Sequence, residues 1–236
     1  MRKIRLGLVI SKSEDSISEL EKYSASDEAD VLLFPEGYLK SNNLKKAQLL
    51  AKKNKKWIIT GMDDKRDKKK RMETGVVIDD LGKIIGEHHK TSFTQWEVNH
   101  GYTRGDSIKV INTKLGKLGF AICYEIHFPE VPRILALQGV EIIINPIGTG
   151  MWHEEQFKQW NAVAKTRASE SNAFVIGCSH FNDCIPIAFA YAPDGECLVS
   201  ERSVNKLIPI VLDFDKYKTG KNFSQRRPEL YSDLIK

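Results

Sequence analysis

The sequence predicts a layered α/β or α+β fold with mixed sheets. Short apolar runs of strand length alternate with helix-length stretches from end to end. Two pairs of strands are joined by tight turns, Asp79-Asp80-Leu81-Gly82-Lys83 and Ala192-Pro193-Asp194-Gly195-Glu196, and a tight turn makes an antiparallel hairpin. A plain, fully parallel doubly wound sheet is therefore excluded. No Ser/Gly-rich linker, fixed-period repeat or low-complexity segment interrupts the 236 residues, so one domain over 1–236 is the simplest organisation.

The elements follow in order. The apolar run 5–10 reads as the first strand, with the polar Ser11-Lys12-Ser13-Glu14-Asp15 behind it. It is too short for a signal-peptide core or a membrane span. A helix is predicted over 16–28 and a second over 43–53. Between them the fully apolar run 31–34 reads as a central strand, ended by Pro35, which cannot donate to a ladder. Residues 57–60 form another strand, and 75–78 with 84–87 form the first hairpin. Strand 118–122 precedes a helix over 130–138, which has Pro129 and Pro132 at its start and Gly139 past its end. Strands 141–144 and 173–177 flank the longest helix, 153–171. Along it Phe157, Trp160, Ala164 and Ala168 recur at helical spacing, which marks a core-facing stripe. Strands 187–191 and 197–200 make the second hairpin.

A hydrophobic share of 41% and a charged share of 28% are ordinary for a soluble globular protein. The net charge of +5 sits largely in two runs, 52–56 and 65–71. They read as a solvated helix end and an exposed loop. No helix-turn-helix, RNA-recognition or zinc-finger pattern accompanies them, so no nucleic-acid partner is expected. Cys123, Cys178, Cys184 and Cys197 form no CxxC pair, and a chain of this length needs no disulfide framework. A reducing, cytoplasmic location is the expectation, with no membrane partner.

Three reactive side chains stand at predicted strand ends. Glu36 comes just after the run 31–34. A carboxylate there either reaches solvent or is buried, paired and perturbed, and its segment alone leaves both open. Lys90 follows the strand that ends in His88-His89. Neighbouring histidines on a strand point to opposite faces, and no third ligand lies at usual spacing, so a metal is not expected. His153-Glu154-Glu155-Gln156-Phe157 lacks the second histidine of a zinc-protease motif. Cys123 follows 117–122 and is itself followed by Tyr124-Glu125, just before a helix. It is either a small core hydrophobe or a nucleophile on a strand-to-helix turn, where backbone N–H groups can bind an anion. Together the carboxylate can take a thiol proton, and the ammonium can stabilise an oxyanion.

In these residues the sequence resembles the nitrilase, or carbon–nitrogen hydrolase, superfamily and its Glu-Lys-Cys triad. Phe34-Pro35-Glu36 matches the Glu segment and Lys90 the Lys. Gly119 to Cys123, Tyr124-Glu125, Phe128-Pro129-Glu130 and Arg133 match the Cys segment. The strand ending at Pro146, then Trp160, Arg167-Ala168, Glu170 and Asn172, and finally Arg226-Arg227-Pro228-Glu229-Leu230-Tyr231, match later motifs in the right order. The flanks of Lys90 depart from the pattern: His89 stands where an aromatic is usual, and Thr91-Ser92-Phe93 where His-Leu often occurs.

The resemblance implies a four-layer αββα sandwich of two mixed sheets flanked by helices, commonly a homodimer or higher homo-oligomer. It implies an amidase cleaving a small amide to acid and ammonia without a cofactor. A nitrilase or N-carbamoyl hydrolase would use the same triad; an acyltransferase or a non-catalytic binding protein are the remaining alternatives. It assigns Glu36 as base, Cys123 as nucleophile, and Lys90 with the backbone N–H of Tyr124 as oxyanion donors. For the supporting second carboxylate Glu97 is the first candidate and Glu87 the second. Tyr38, Gly148, Thr149 and Trp152 are the substrate-shaping candidates, and Trp152 reads equally well as a helix-start staple against the core. Arg167 and Asn172 are expected to anchor the long helix to the Cys loop, and Cys178, Cys184 and Cys197 to play no catalytic part.

Overall fold

The computed structural model describes residues 2–12, 16–219 and 223–235. The chain starts with β1 (Lys3–Ile10), α1 (Ser16–Ser24), β2 (Val31–Leu33), β3 (Leu39–Lys40), α2 (Leu44–Asn54) and β4 (Trp57–Asp64). The hairpin β5 (Met72–Ile78) and β6 (Ile84–His89) leads to α3 (Gln95–Asn99), β7 (Ile111–Thr113) and β8 (Gly116–Phe120). Then come α4 (Glu130–Leu137), β9 (Ile142–Ile147), α5 (Glu154–Ser171) and β10 (Phe174–Ser179). The second hairpin, β11 (Ala188–Tyr191) and β12 (Cys197–Glu201), precedes β13 (Lys206–Asp213).

Two mixed sheets result. One runs β13-β1-β2-β4-β5-β6, with β3 beside β4; the other runs β12-β11-β10-β9-β8-β7. They face each other. Ile4, Leu6, Leu8 and Ile10 of β1 share one buried cluster with Leu118, Phe120, Ile142, Ile144, Phe174 and Ile176 of the second sheet. The alternate residues point outward. Val9, Leu32 and Ile58 meet Leu20, Ala47 and Ala51 of α1 and α2. Ile143, Ile147 and Val175 meet Leu135, Trp160, Ala164 and Ala168 of α4 and α5. The order is helix, sheet, sheet, helix. Burial on both faces is why the central strands read as continuous apolar runs. Each large aliphatic side chain removed from water contributes about 1.5–3 kcal/mol.

The differences from expectation have local causes. Helix α1 stops at Ser24, because Ser26 Oγ accepts the Glu28 N–H at 3.2 Å and closes a turn instead of a helix. β4 runs on to Asp64, since Asp63 and Asp64 are buried against Lys65, Arg66 and Arg71. β13 carries Pro209 and so does not read as a strand in the sequence; it is an edge strand, paired antiparallel to β1 alone, where proline is tolerated. Ser13, Glu14 and Asp15 of the polar run lie outside the described residues. The basic run 52–56 does end a helix, with Lys55 in the left-handed cap position and Lys56 Nζ donating to Ala29 O at 2.6 Å. The run 65–71 is the β4–β5 connection, where Arg66 pairs with Asp64 and Glu87. Among the described residues no helix is long and apolar enough to cross a membrane.

Candidate active site

Glu36 stands just past the C-terminal end of β2, at the mouth of the inter-sheet space, and is 8% exposed. Gly37, at φ 65°, turns the chain directly behind it. The Glu36 carbonyl accepts from His180 Nε2 at 2.8 Å, and His180 Nδ1 lies 3.0 Å from Ser11 Oγ. A carbonyl only accepts, so the imidazole proton sits on Nε2 and Ser11 donates to Nδ1. Burial pushes His180 down to about 4 from 6.5. A neutral histidine therefore braces the Glu36 backbone. The sign follows: its stabilising contribution is complete above pH 6.5 and is lost as pH falls towards about 4. That gap is worth roughly 3 kcal/mol. His180→Gln, which keeps a donor and an acceptor, should flatten the rise of unfolding free energy between pH 4 and 6.5 by up to one proton's slope. Denaturant titrations across that window measure it, and an unchanged slope would contradict the assignment.

Lys90 directly follows β6 and is 1% exposed. Its Nζ lies 2.8 Å from Glu36 Oε1 and 2.6 Å from Glu97 Oε1. Glu97 is fixed by a capping box on α3: its Oε2 accepts from the N–H and Oγ1 of Thr94 at 2.8 and 2.9 Å. One oxygen caps the helix while the other meets the ammonium. Burial opposes the charge on Lys90, but Glu36, Cys123 and Glu97 outweigh it and raise its pKa, so it stays an ammonium. Burial pushes Glu36 up, with Lys90 pulling in the opposite direction.

Cys123 opens a 3-10 turn, Cys123–His127, at φ 49°. A left-handed non-glycine residue costs about 1–2 kcal/mol and persists only where its surroundings enforce it. Glu125 does much of the enforcing. Its carboxylate accepts from Ile122 N at 2.7 Å on the Cys side, and from Thr91 N at 2.6 Å and Thr91 Oγ1 at 2.7 Å on the Lys side. His88 Nε2 completes the set at 3.1 Å. One buried carboxylate thus ties the two reactive loops together. Asn145 Nδ2 donates to Cys123 O at 3.0 Å, and Trp160 Nε1 donates to Asn145 Oδ1 at 3.0 Å.

The thiol itself faces Glu36 within hydrogen-bonding reach, and the Gly148 N–H points at the sulfur. Burial, then the charge of Glu36, pushes the thiol well above the usual cysteine range; Lys90 and Gly148 pull it down. The resting sulfur is protonated, so it needs a base alongside to react. A Cβ at position 148 would lie 2.6 Å from Glu36 Oε2, so a larger residue there would displace the Glu36 carboxylate.

A cavity of about 680 Å³ opens over these groups. Glu36, Lys90, Glu97 and Cys123 line it, and Gly148, Thr149 and Trp152 border it. Tyr38 does not belong with them. It is 1% exposed, stacks on Phe34 at 4.4 Å and joins the core beneath α1 and α2, because the turn at Gly37 folds it back. Tyr124 follows Cys123 with a 40%-exposed ring, packed near His127 and Phe128 and outside the cavity lining. Glu87 pairs with Arg66, away from Lys90. His88 and His89 diverge, one to Glu125 and one to Thr74. Arg167 reaches the Cys loop through Ile126 O at 2.9 Å, but Asn172 does not; it caps α5 at φ 50° and donates to Lys218 O. Cys178 is buried in the core, and Cys184 and Cys197 are free thiols.

Glu73, Trp96, Tyr102 and His180 are among the cavity residues that carry no signal in the sequence strong enough to mark them. Glu73 has one usable feature, a carboxylate at the start of an otherwise apolar strand. The others depend on how distant loops meet.

Residues 10–211 match the family model described as carbon-nitrogen hydrolase, and the chain belongs to that family. A hydrolase of Schizosaccharomyces pombe is 26% identical over 208 residues, covering 79% of this chain and 63% of that protein. An omega-amidase of Saccharomyces cerevisiae is 26% identical over 198 residues, covering 75% of this chain and 65% of that protein. The chain therefore spans a little under two thirds of these relatives' length. The solved carbon-nitrogen hydrolase of Helicobacter pylori G27 superposes with a TM-score of 0.85 at 20% identity, over 100% of this chain and 99% of that one. At that identity the likeness concerns the fold.

Proposed function

We propose that this chain is a cysteine hydrolase of non-peptide carbon–nitrogen bonds, an amidase that converts a small amide to acid and ammonia. The observation that carries the reading is the Lys90 ammonium, held 2.8 Å from Glu36 and 2.6 Å from Glu97 beside the half-buried thiol of Cys123 in the same cavity. The omega-amidase among the relatives supports an amide as substrate.

In this reading Glu36 takes the Cys123 proton as the sulfur attacks the amide carbon. Lys90 and the Tyr124 N–H receive the oxyanion, where one such donor is worth about 2.7–4 kcal/mol. Protonated Glu36 then gives its proton to the departing nitrogen, leaving a thioester on Cys123. Glu36 next activates a water that releases the acid. Glu97 keeps Lys90 charged and aimed. The raised pKa of Glu36 suits a group that alternates between base and acid.

A panel of small amides, nitriles and N-carbamoyl compounds tests the assignment, scored by release of ammonia and carbon dioxide, with Cys123→Ala as blank. Ammonia from amides alone is expected. Carbon dioxide from carbamoyl compounds, or turnover of nitriles in preference to amides, would reassign the substrate class while keeping the triad.

A further inference from the structure

Glu73 is a carboxylate that the proposed chemistry does not use. It lies on β5 two residues before Gly75, whose α-carbon faces the Phe120 ring across the inter-sheet space. Strand alternation therefore aims the Glu73 side chain into that same space, and it lines the cavity with Glu36, Lys90 and Cys123. It is 7% exposed, and its Oε2 has no hydrogen-bond partner among the described residues.

The neighbouring cations are already committed. Lys90 divides its Nζ between Glu36 and Glu97. Lys40 and Arg71 both lie on Asp63, at 3.5 and 3.4 Å, and Arg71 also covers the Tyr102 ring. Asp63, opposite Glu73 in the β4–β5 register, adds negative charge and not a partner. A buried, unpartnered carboxyl group calls for a ligand that completes it. In the amidase reading Cys123, Glu36 and Lys90 meet the scissile amide, which leaves Glu73 free to meet another part of the substrate. The buried part of the lining holds three carboxyl groups, Glu36, Glu73 and Glu97, against the buried ammonium of Lys90, while Lys40 at the exposed rim is engaged by Asp63. That excess favours positive charge.

We propose that Glu73 is a specificity-determining residue that receives a cationic nitrogen, an ammonium or guanidinium, carried by the substrate a few bonds from its scissile carbonyl. The inference rests on the amidase reading above. Burial, with Glu36 adding to it, holds the Glu73 carboxyl well above the usual range. An arriving cation reverses part of that effect, and the proton leaves to solvent.

The test compares amides matched in length and differing in charge at the far end. The cationic series is β-alaninamide, γ-aminobutyramide, δ-aminovaleramide and δ-guanidinovaleramide. Neutral alkyl isosteres such as hexanamide, and the anionic adipamic acid, are the partners. The best cationic amide should exceed its neutral isostere by about tenfold or more in kcat/KM, with the anion poorest. Glu73→Gln should abolish that preference, and Glu73→Asp should keep part of it. Neutral isosteres equal to or better than every cationic amide, or a preference intact in Glu73→Gln, would overturn the proposal. A second readout needs neither turnover nor a variant: n-butylammonium should slow alkylation of Cys123 by iodoacetamide, and n-pentanol should not. Equal protection by both would also overturn it. If no amide is hydrolysed but n-butylammonium alone protects Cys123, the amidase reading fails and the cation site stands.

Discussion

Cys123→Ala should fold and lose hydrolysis by roughly a million-fold in kcat, the scale seen when a covalent nucleophile is removed. The fold should survive for a specific reason. Alanine meets the left-handed φ of 49° with the same Cβ as cysteine, and the bonds that enforce the turn come from Glu125, Asn145 and Arg167. None of them involves the sulfur. Thermal unfolding should therefore stay close to wild type while ammonia release falls to the blank. Undiminished ammonia release from a properly folded variant would remove Cys123 from the chemistry and leave it as core packing.

Lys90→Met should impair both stability and activity. The methionine matches the stem of the lysine, but two buried carboxylates, Glu36 and Glu97, lose the one ammonium they share. Removing one partner of a buried ion pair costs about 3–5 kcal/mol, because the charge left behind is uncompensated. The pH dependence has a definite sign. Glu36 is already pushed up by burial, and without Lys90 nothing comparable pulls it down. A carboxyl with a folded pKa above its unfolded value loses stability as pH rises between the two. The variant should therefore be relatively more stable in mild acid than at neutral pH. Adding Glu97→Gln should recover part of the stability and none of the activity. Denaturant midpoints at the two pH values, beside the rate with a good amide, separate these effects. Wild-type stability in Lys90→Met would mean that the ion pairs contribute nothing net.

The layered, mixed fold was legible because burial on both sheet faces writes long apolar runs, and because Gly82 and Gly195 mark the hairpins. β13 was not, since Pro209 is an edge-strand feature that reads locally as a break. α3 was not, because five residues with exposed Trp96 and Val98 carry no helical stripe. Glu36, Lys90 and Cys123 stood out in the sequence because each sits at a strand end, and the fold brings all three to one cavity. Glu97 was singled out through the family likeness, and its contact with Lys90 depends on a cap that Thr94 makes. Tyr38 misled because proximity in sequence to Glu36 is undone by one glycine turn. The unpaired oxygen of Glu73 and the bracing by His180 exist only after distant strands meet, and no local pattern encodes them.

The proposed mechanism passes the acyl group through the sulfur of Cys123. Rapid acid quench during turnover of a good amide, followed by mass measurement of the Cys123 peptide, tests it directly. A mass increment equal to the acyl group is expected on that peptide, and it should disappear when substrate is exhausted. Demonstrated steady turnover with no increment on Cys123 under the same quench, or with the increment on another residue, would contradict it.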